Sequence, residues 1–298
     1  MKLRILFVLG MVLLAVWALL PLHTVSAETK VLYEGDSIYN HIRIDQAGEE
    51  RCMLFGRYKD KRQTCLNMSK PDVSIFEYTG MMFVGFLFHP DTKDVALIGL
   101  GGGYVPTVFS RHLPSVRIDS IEVDPLVYKM AQKYFFVKAA PMQTFTVADG
   151  RQYLRKTDRK YDQIWVDAFN TDYIPVHLTT KEFLQLAKSR LTKNGIVVQN
   201  VHNSNKLFDA QVSTFRAVFA NVFIFNGKSS GNAIIVASDN PLYRPSDFKQ
   251  SLKSRARIGE IRLKEEAHKY APVIEIAKAS VLTDDYNPAN FLLHQEHR

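Results

Sequence analysis

Hydrophobic and polar positions change their rhythm three times along the chain. Residues 5–20 are almost continuously apolar. From Val31 to Met68, short apolar runs with polar turns (VLYEG, NHIRID, RCMLFG, QTCLNM) predict a small antiparallel sheet. Val73 to Phe88 is apolar nearly all round and predicts a buried helix. From Asp94 onward the pattern alternates. Strands are predicted at Val95–Ile98, Arg117–Val123, Thr144–Val147, Tyr161–Asp167, Gly195–Asn200, Val222–Phe225 and Ala233–Ala237. Helices fall between them at Val105–Leu113, Gln152–Lys156, Thr180–Leu191 and Asp209–Phe219. Apolar runs of this length suit strands buried on both faces, and their alternation with helices predicts an α/β fold built on one doubly wound, Rossmann-like sheet. The domain division this implies is 1–27, a leading segment; 28–70, a small N-terminal β-sheet; and 71–298, the α/β part.

Asp94 to Gly103 reads DVALIGLGGG: a buried strand running into a glycine-dense turn, with a helix to follow. Such a unit presents backbone N–H groups to a nucleotide, and Gly99, Gly101 and Gly103 let the backbone approach it closely. A tight βα connection without a ligand is the plainer reading. Two later features favour the ligand. The second strand ends in Glu122 and Asp124, roughly 20 residues after the glycines, where a carboxylate suits the hydroxyls of a ribose. The third ends in Asp149-Gly150, where a loop carboxylate meets an adenine amino group. Tyr104 follows Gly103, so the dinucleotide fingerprint is broken at its last glycine. The expectation moves to S-adenosylmethionine or a relative.

Asp167 ends the fourth strand on the same sheet edge, and the loop after it adds Asp172. Two carboxylates beside a sulfonium suit a cationic or amine substrate. An alkylammonium has a pKa of about 10 and attacks carbon only after losing its proton, so a fixed carboxylate is a natural base. The alternative is that Asp167 merely caps the following turn.

Charge and composition change this picture little. The chain has 298 residues and a formal charge of +8. Much of the excess lies in Lys249, Lys253, Arg255, Arg257, Arg262 and Lys264. No aromatic interleaving or binding motif accompanies it, so it reads as a solvated helical face and no nucleic-acid partner is expected. Lys2, Arg4, the apolar run and Val25-Ser26-Ala27 resemble an export signal cleaved after Ala27. Retention as a membrane anchor through residues 5–22 is the other reading. The protein is thus expected to be exported, periplasmic or extracellular, or else membrane-anchored. Two cysteines without paired histidines do not suggest a metal site, and no metal is expected. Cys52 and Cys65 flank a turn-like stretch and, in an exported chain, form a cross-strand disulfide or remain two free thiols.

The run from Val95 to Asn200 closely resembles the spermidine synthase family of aminopropyltransferases, especially its divergent bacterial branch. The matching pieces are IGLGGG (98–103), IEVDP (121–125), ADGRQYL (148–154), YDQIWVDAFNTDYIPVHLTTKEF (161–183) and LTDDYNP (282–288). Ser37-x-Tyr39-x-x-Ile42 and Leu54-Phe55-Gly56 are similar to its strand motifs. The resemblance implies a class I S-adenosylmethionine-binding fold preceded by a small antiparallel sheet. It also implies aminopropyl transfer from decarboxylated S-adenosylmethionine to a diamine such as putrescine, giving spermidine and methylthioadenosine. By it, Glu122 holds the ribose, Asp149 with Gly150 the adenine, and the turn of Gly99, Gly101 and Gly103 the methionine-derived end. Asp167 is the base, and Tyr39, Gln63, Glu77 and Asp172 belong to the amine side. A homodimer is the expected assembly. The chain departs from the family at Gly102, where G-G-G-D-G has its aspartate, at Asn170, the second aspartate of D-x-x-D, and at Ile75-Phe76, where Tyr-His precedes the glutamate. These departures lie on the amine side. An S-adenosylmethionine-dependent methyltransferase and a non-catalytic polyamine- or nucleoside-binding protein are the competing readings.

Overall fold

The N-terminal sheet carries apolar side chains on both of its faces. In the computed structural model, which describes residues 28–56, 61–169, 174–204, 206–244, 248–272 and 279–295, four antiparallel strands run in chain order. They are β1 (Lys30–Asp36), β2 (His41–Ala47), β3 (Glu50–Phe55) and β4 (Lys61–Asn67). One face buries Ile42, Ile44, Met53 and Leu66; the other carries Cys52, Leu54 and Cys65 beneath Ile75 and Phe76. Cys52 and Cys65 stand opposite each other across β3 and β4 and are joined in a disulfide. Closing this short loop should stabilise the fold by about 3 kcal/mol, mainly by restricting the unfolded chain. Replacing both cysteines by alanine is therefore expected to lower the denaturation midpoint, and reductant should do the same to the wild type only. Equal midpoints for variant and oxidised wild type would contradict it.

The buried helix starts later than the apolar pattern suggests. It begins as α1 (Glu77–Met81), tightens through a 3₁₀ turn (Met82–Val84) and continues as α2 (Gly85–Phe88). Ser74 bridges Leu66 at the end of β4, and Phe76 keeps an extended backbone with φ −96° and ψ 130°. That bridge takes Ser74 out of the helix, which begins only at Glu77. From Met81 onward the segment is buried all round, with Phe83 and Phe86 packed on Phe109 and Trp165.

The α/β part follows as β5 (Asp94–Ile98), α3 (Tyr104–His112), β6 (Arg117–Glu122), α4 (Pro125–Tyr134), β7 (Gln143–Val147), α5 (Gly150–Lys156) and β8 (Tyr161–Val166). Then come α6 (Lys181–Ser189), β9 (Leu191–His202), α7 (Lys206–Arg216), β10 (Asn221–Asn226) and β11 (Asn232–Ser238). Towards the C-terminus lie α8 (Phe248–Ser254), the two-residue strands β12 (Arg257–Ile258), β13 (Ile261–Arg262) and β14 (Tyr270–Ala271), and short helices at Leu263–Ala267 and Ala289–Leu293. The large sheet has the order β14-β10-β11-β9-β8-β5-β6-β7. Strands β5 to β9 are parallel to one another, whereas β11, β10 and β14 add on antiparallel. The doubly wound pattern thus covers five strands, and a hairpin finishes the sheet. β9 runs longer than its apolar core because it is paired with β8 on one side and β11 on the other.

Ile42, Met53 and Leu66 of the small sheet share a core with Phe83, Val105, Val108 and Trp165. The change of topology near residue 70 is therefore not a break in packing. Among the described residues no helix is long and apolar enough to cross a membrane, and residues 5–22 lie outside them.

Candidate active site

Strand order reverses between β5 and β8, and the carboxyl ends of the parallel strands open there into a cavity of 680 Å³. That volume suits a ligand of nucleoside size with room beside it. Gly99 and Gly101 line it, and with Gly103 all three take positive φ (97°, 52° and 75°). At Gly99 the need is steric as well. A Cβ there would stand 2.2 Å from the Asp167 carbonyl oxygen, so only glycine lets the ends of β5 and β8 lie together.

Glu122, the last residue of β6, accepts hydrogen bonds from the backbone N–H of Leu100 and of Asp124, each at 3.0 Å. It braces the glycine turn while lining the cavity, and burial pushes its carboxyl pKa up. Asp124 is fully buried and works as a cap. Its Oδ1 accepts from Leu126 N–H at 2.8 Å and its Oδ2 from the Ser37 hydroxyl at 2.5 Å. That contact ties the β1–β2 connection, with Tyr39 at the cavity rim, to the start of α4.

Asp149 caps α5 through Gln152 N–H at 2.8 Å, and Gly150 beside it lines the cavity. Its Oδ2 meets His177 Nε2 at 2.7 Å, which holds the Asp149 carboxyl below its usual range. His177 sits on a 3₁₀ turn (Val176–Leu178). The turn is fastened by the segment 282–288: Asn287 Nδ2 donates to the Val176 carbonyl at 3.2 Å, and Asp284 pairs with Arg151 of α5. Sequence patterning misses His177, because no periodicity marks a loop residue that meets its partner through a turn.

Asp167 follows β8 directly. Its backbone N–H donates to the Ile98 carbonyl at 2.8 Å, and its Oδ1 accepts from Asn200 Nδ2 at 2.9 Å. Burial pushes its pKa up to about 6, against the opposing pull of Asn200. Tyr78 and Gln63 line the same cavity. Glu77 lines it too, with its carboxylate engaged by the β10–β11 turn. It accepts from the N–H groups of Lys228, Ser229 and Ser230, from the Ser229 hydroxyl and from Lys269 Nζ. These donors hold its pKa well below the ordinary carboxylate range, although burial acts the other way. Glu77 therefore reaches the site as a brace. Asn170 and Asp172 lie outside the described residues. Glu50, Cys52 and Cys65 are gathered closely enough for a metal, but both sulfurs belong to the disulfide.

The spermine/spermidine synthase domain model matches residues 76–226. The chain is also 32% identical over 275 residues to a polyamine aminopropyltransferase of Vibrio vulnificus, across 89% of this chain and 92% of that one. The chain belongs to the spermine/spermidine synthase family. Among solved structures, a probable spermidine synthase from Corynebacterium glutamicum overlays with a TM-score of 0.62 at 18% identity, covering 84% of this chain and 98% of that one. A spermidine synthase in complex with the transition-state analogue AdoDATO gives 0.61 at 23% identity, covering 82% and 84%. These overlays establish the synthase fold, including its small leading sheet.

Gly102 is the position at which the sequence resemblance expects an aspartate. A Cβ at Gly102 would lie 2.6 Å from Thr64 Cγ2 and 3.1 Å from the Phe135 ring. In this synthase-family chain β4 occupies the space an aspartate side chain needs.

Proposed function

We propose that the protein is a spermidine synthase-like aminopropyltransferase that takes decarboxylated S-adenosylmethionine and a diamine such as putrescine. The observation that carries this reading is Asp167: a half-buried carboxylate with a pKa of about 6, beside the glycine turn, in one cavity with Glu122 and Asp149. Glu122 suits the ribose, Asp149 the adenine amino group, and the Gly99–Gly101 turn the sulfonium end. Both co-substrates are small molecules, and no metal is required by the step.

Asp167 takes a proton from the acceptor ammonium, whose freed lone pair attacks the methylene carbon bonded to sulfur. The new C–N bond forms as the C–S bond breaks, and its electrons stay on sulfur as the neutral thioether of methylthioadenosine. A base of pKa about 6 is ionised at neutral pH. It also lies nearer the amine's pKa of about 10 than an ordinary carboxylate does, which eases proton transfer.

The sign of the pH dependence follows. The base must be deprotonated, so kcat/KM should be level from about one unit above pH 6, half-maximal near pH 6 and fall about tenfold per unit well below it. An acidic limb centred near the ordinary carboxylate value of about 4 instead would show that the essential base is an unshifted carboxylate.

The activity is tested by incubating the protein with decarboxylated or intact S-adenosylmethionine and a set of amines, then identifying the nucleoside released. Methylthioadenosine supports aminopropyl transfer. S-adenosylhomocysteine makes the protein a methyltransferase, and no product leaves a binding protein. The basic and apolar leading segment supports export, with cleavage after Ala27 or anchoring through residues 5–22. The mass of the protein recovered from cell fractions separates these.

A further inference from the structure

Asp167 is met by one buried amide, and that amide is met by a second on the neighbouring strand. Asn200 of β9 is 1% exposed and donates its Nδ2–H to Asp167 Oδ1 at 2.9 Å. Asn232, the first residue of β11, is 8% exposed and donates to Asn200 Oδ1 at 3.0 Å. Both line the cavity. An amide can turn either end toward a carboxylate, but only the N–H end attracts an anion. Asn232 occupies the oxygen of Asn200, so the nitrogen is the end left for Asp167. The turn that delivers Asn232 is in turn fastened by Glu77 through the N–H groups of residues 228–230.

We propose that Asn200 and Asn232 are positioning residues for Asp167: their relay aims its carboxylate into the cavity and stabilises its anion, and Glu77 serves the relay by anchoring the β10–β11 turn. This rests on reading Asp167 as the base. Burial favours the neutral acid, whereas a hydrogen bond donated to the anion favours the charged form. Both act on Asp167: burial raises its pKa and the Asn200 hydrogen bond lowers it.

The other ionisable groups facing the cavity come from every wall. From α1, the Tyr78 phenol is kept neutral by burial and by the Asp167 charge, and Glu77 is engaged as described. From β4, Arg62 pairs with Glu50. Glu122 and Asp149 close the strand ends, His177 is bonded to Asp149, and His202 lies beyond Asn200 on β9 with its ring against Phe169. Tyr104 of α3 is kept neutral by burial, Asp124 is held by Ser37 and Leu126 N–H, and Tyr39 stands at the rim.

The relay is tested in ligand-free protein carrying ¹³C-carboxyl aspartate, with the Asp167 signal assigned by its loss in Asp167→Asn. The wild-type midpoint is expected near 6. Asn200→Ala should raise it by about one pH unit or more, since a hydrogen bond to a charged group is lost. Asn232→Ala should raise it by less, because it only frees the Asn200 amide to turn. In turnover, the acidic limb of kcat/KM should move by the same amount with KM for the adenosyl substrate unchanged. A merely structural role would lower the melting temperature and leave the limb in place. If Asn200→Ala does not fold, Asn232→Ala carries the test. A wild-type midpoint in the variants overturns the relay. The titration needs no turnover, so absence of any nucleoside product would sink the aminopropyl reading and leave the relay measured separately.

Discussion

Asp167→Asn is expected to lower kcat by at least about a hundredfold while adenosyl-ligand affinity stays within a few-fold of wild type. The substitution is close to isosteric. The amide oxygen it places at position 167 still accepts from Asn200 Nδ2, and the backbone N–H there still reaches the Ile98 carbonyl. What disappears is the proton acceptor. General-base catalysis contributes typically about 10²–10⁴-fold, and a bound ammonium that keeps its proton has no lone pair to attack with. Steady-state kinetics with the best acceptor, and calorimetry with methylthioadenosine, separate the two effects. Near-normal kcat in Asp167→Asn would move the base elsewhere and would remove the main support for the proposed chemistry.

Glu122→Ala should weaken methylthioadenosine binding by more than about tenfold, equivalent to the roughly 1.5–3 kcal/mol of a hydrogen bond to a charged group. Two losses combine here. The ribose loses its acceptor, and the Leu100 N–H loses the carboxylate that holds the glycine turn in place. The second loss predicts a lower melting temperature in the absence of ligand, because a buried N–H without a partner costs about 1–3 kcal/mol. Glu122→Gln keeps an acceptor oxygen for one of these and should fall between. Unchanged affinity in Glu122→Ala would dissociate the pocket from the end of β6.

What the sequence discloses of this site follows a simple physical line. Gly99, Glu122, Asp149 and Asp167 each lie at or just past the end of a predicted strand, and parallel strands in a doubly wound sheet bring such ends to one edge. Their grouping is therefore legible in one dimension. Asn200 is visible only as the end of an apolar run, because its partner depends on β9 lying beside β8. Asn232 is harder still, since it meets Asn200 only after the chain reverses into an antiparallel hairpin. Thr64 closes on Gly102 across the boundary between the two sheets, a contact that no local pattern encodes. The helix start is misplaced for a related reason. The apolar character of residues 73–76 extends the helical pattern backward, but it does not register that Ser74 is claimed by Leu66. The two-residue strands between Arg257 and Ala271 are shorter than any period that could announce them.

The shared core of the two sheets bears on how such a protein is divisible. Met53 and Leu66 close the same apolar interior as Trp165, and Ser37 completes the cap of α4 through Asp124. The leading sheet is thus a wall of the catalytic unit, and its removal would expose apolar surface of the core that holds Phe83 and Trp165. Insertions and new appendages find their cheapest places at loop tips, whereas a cut near residue 70 would separate side chains that share one core. A chimera that exchanged the small sheet would have to exchange the facing side chains of α1 and α3 with it.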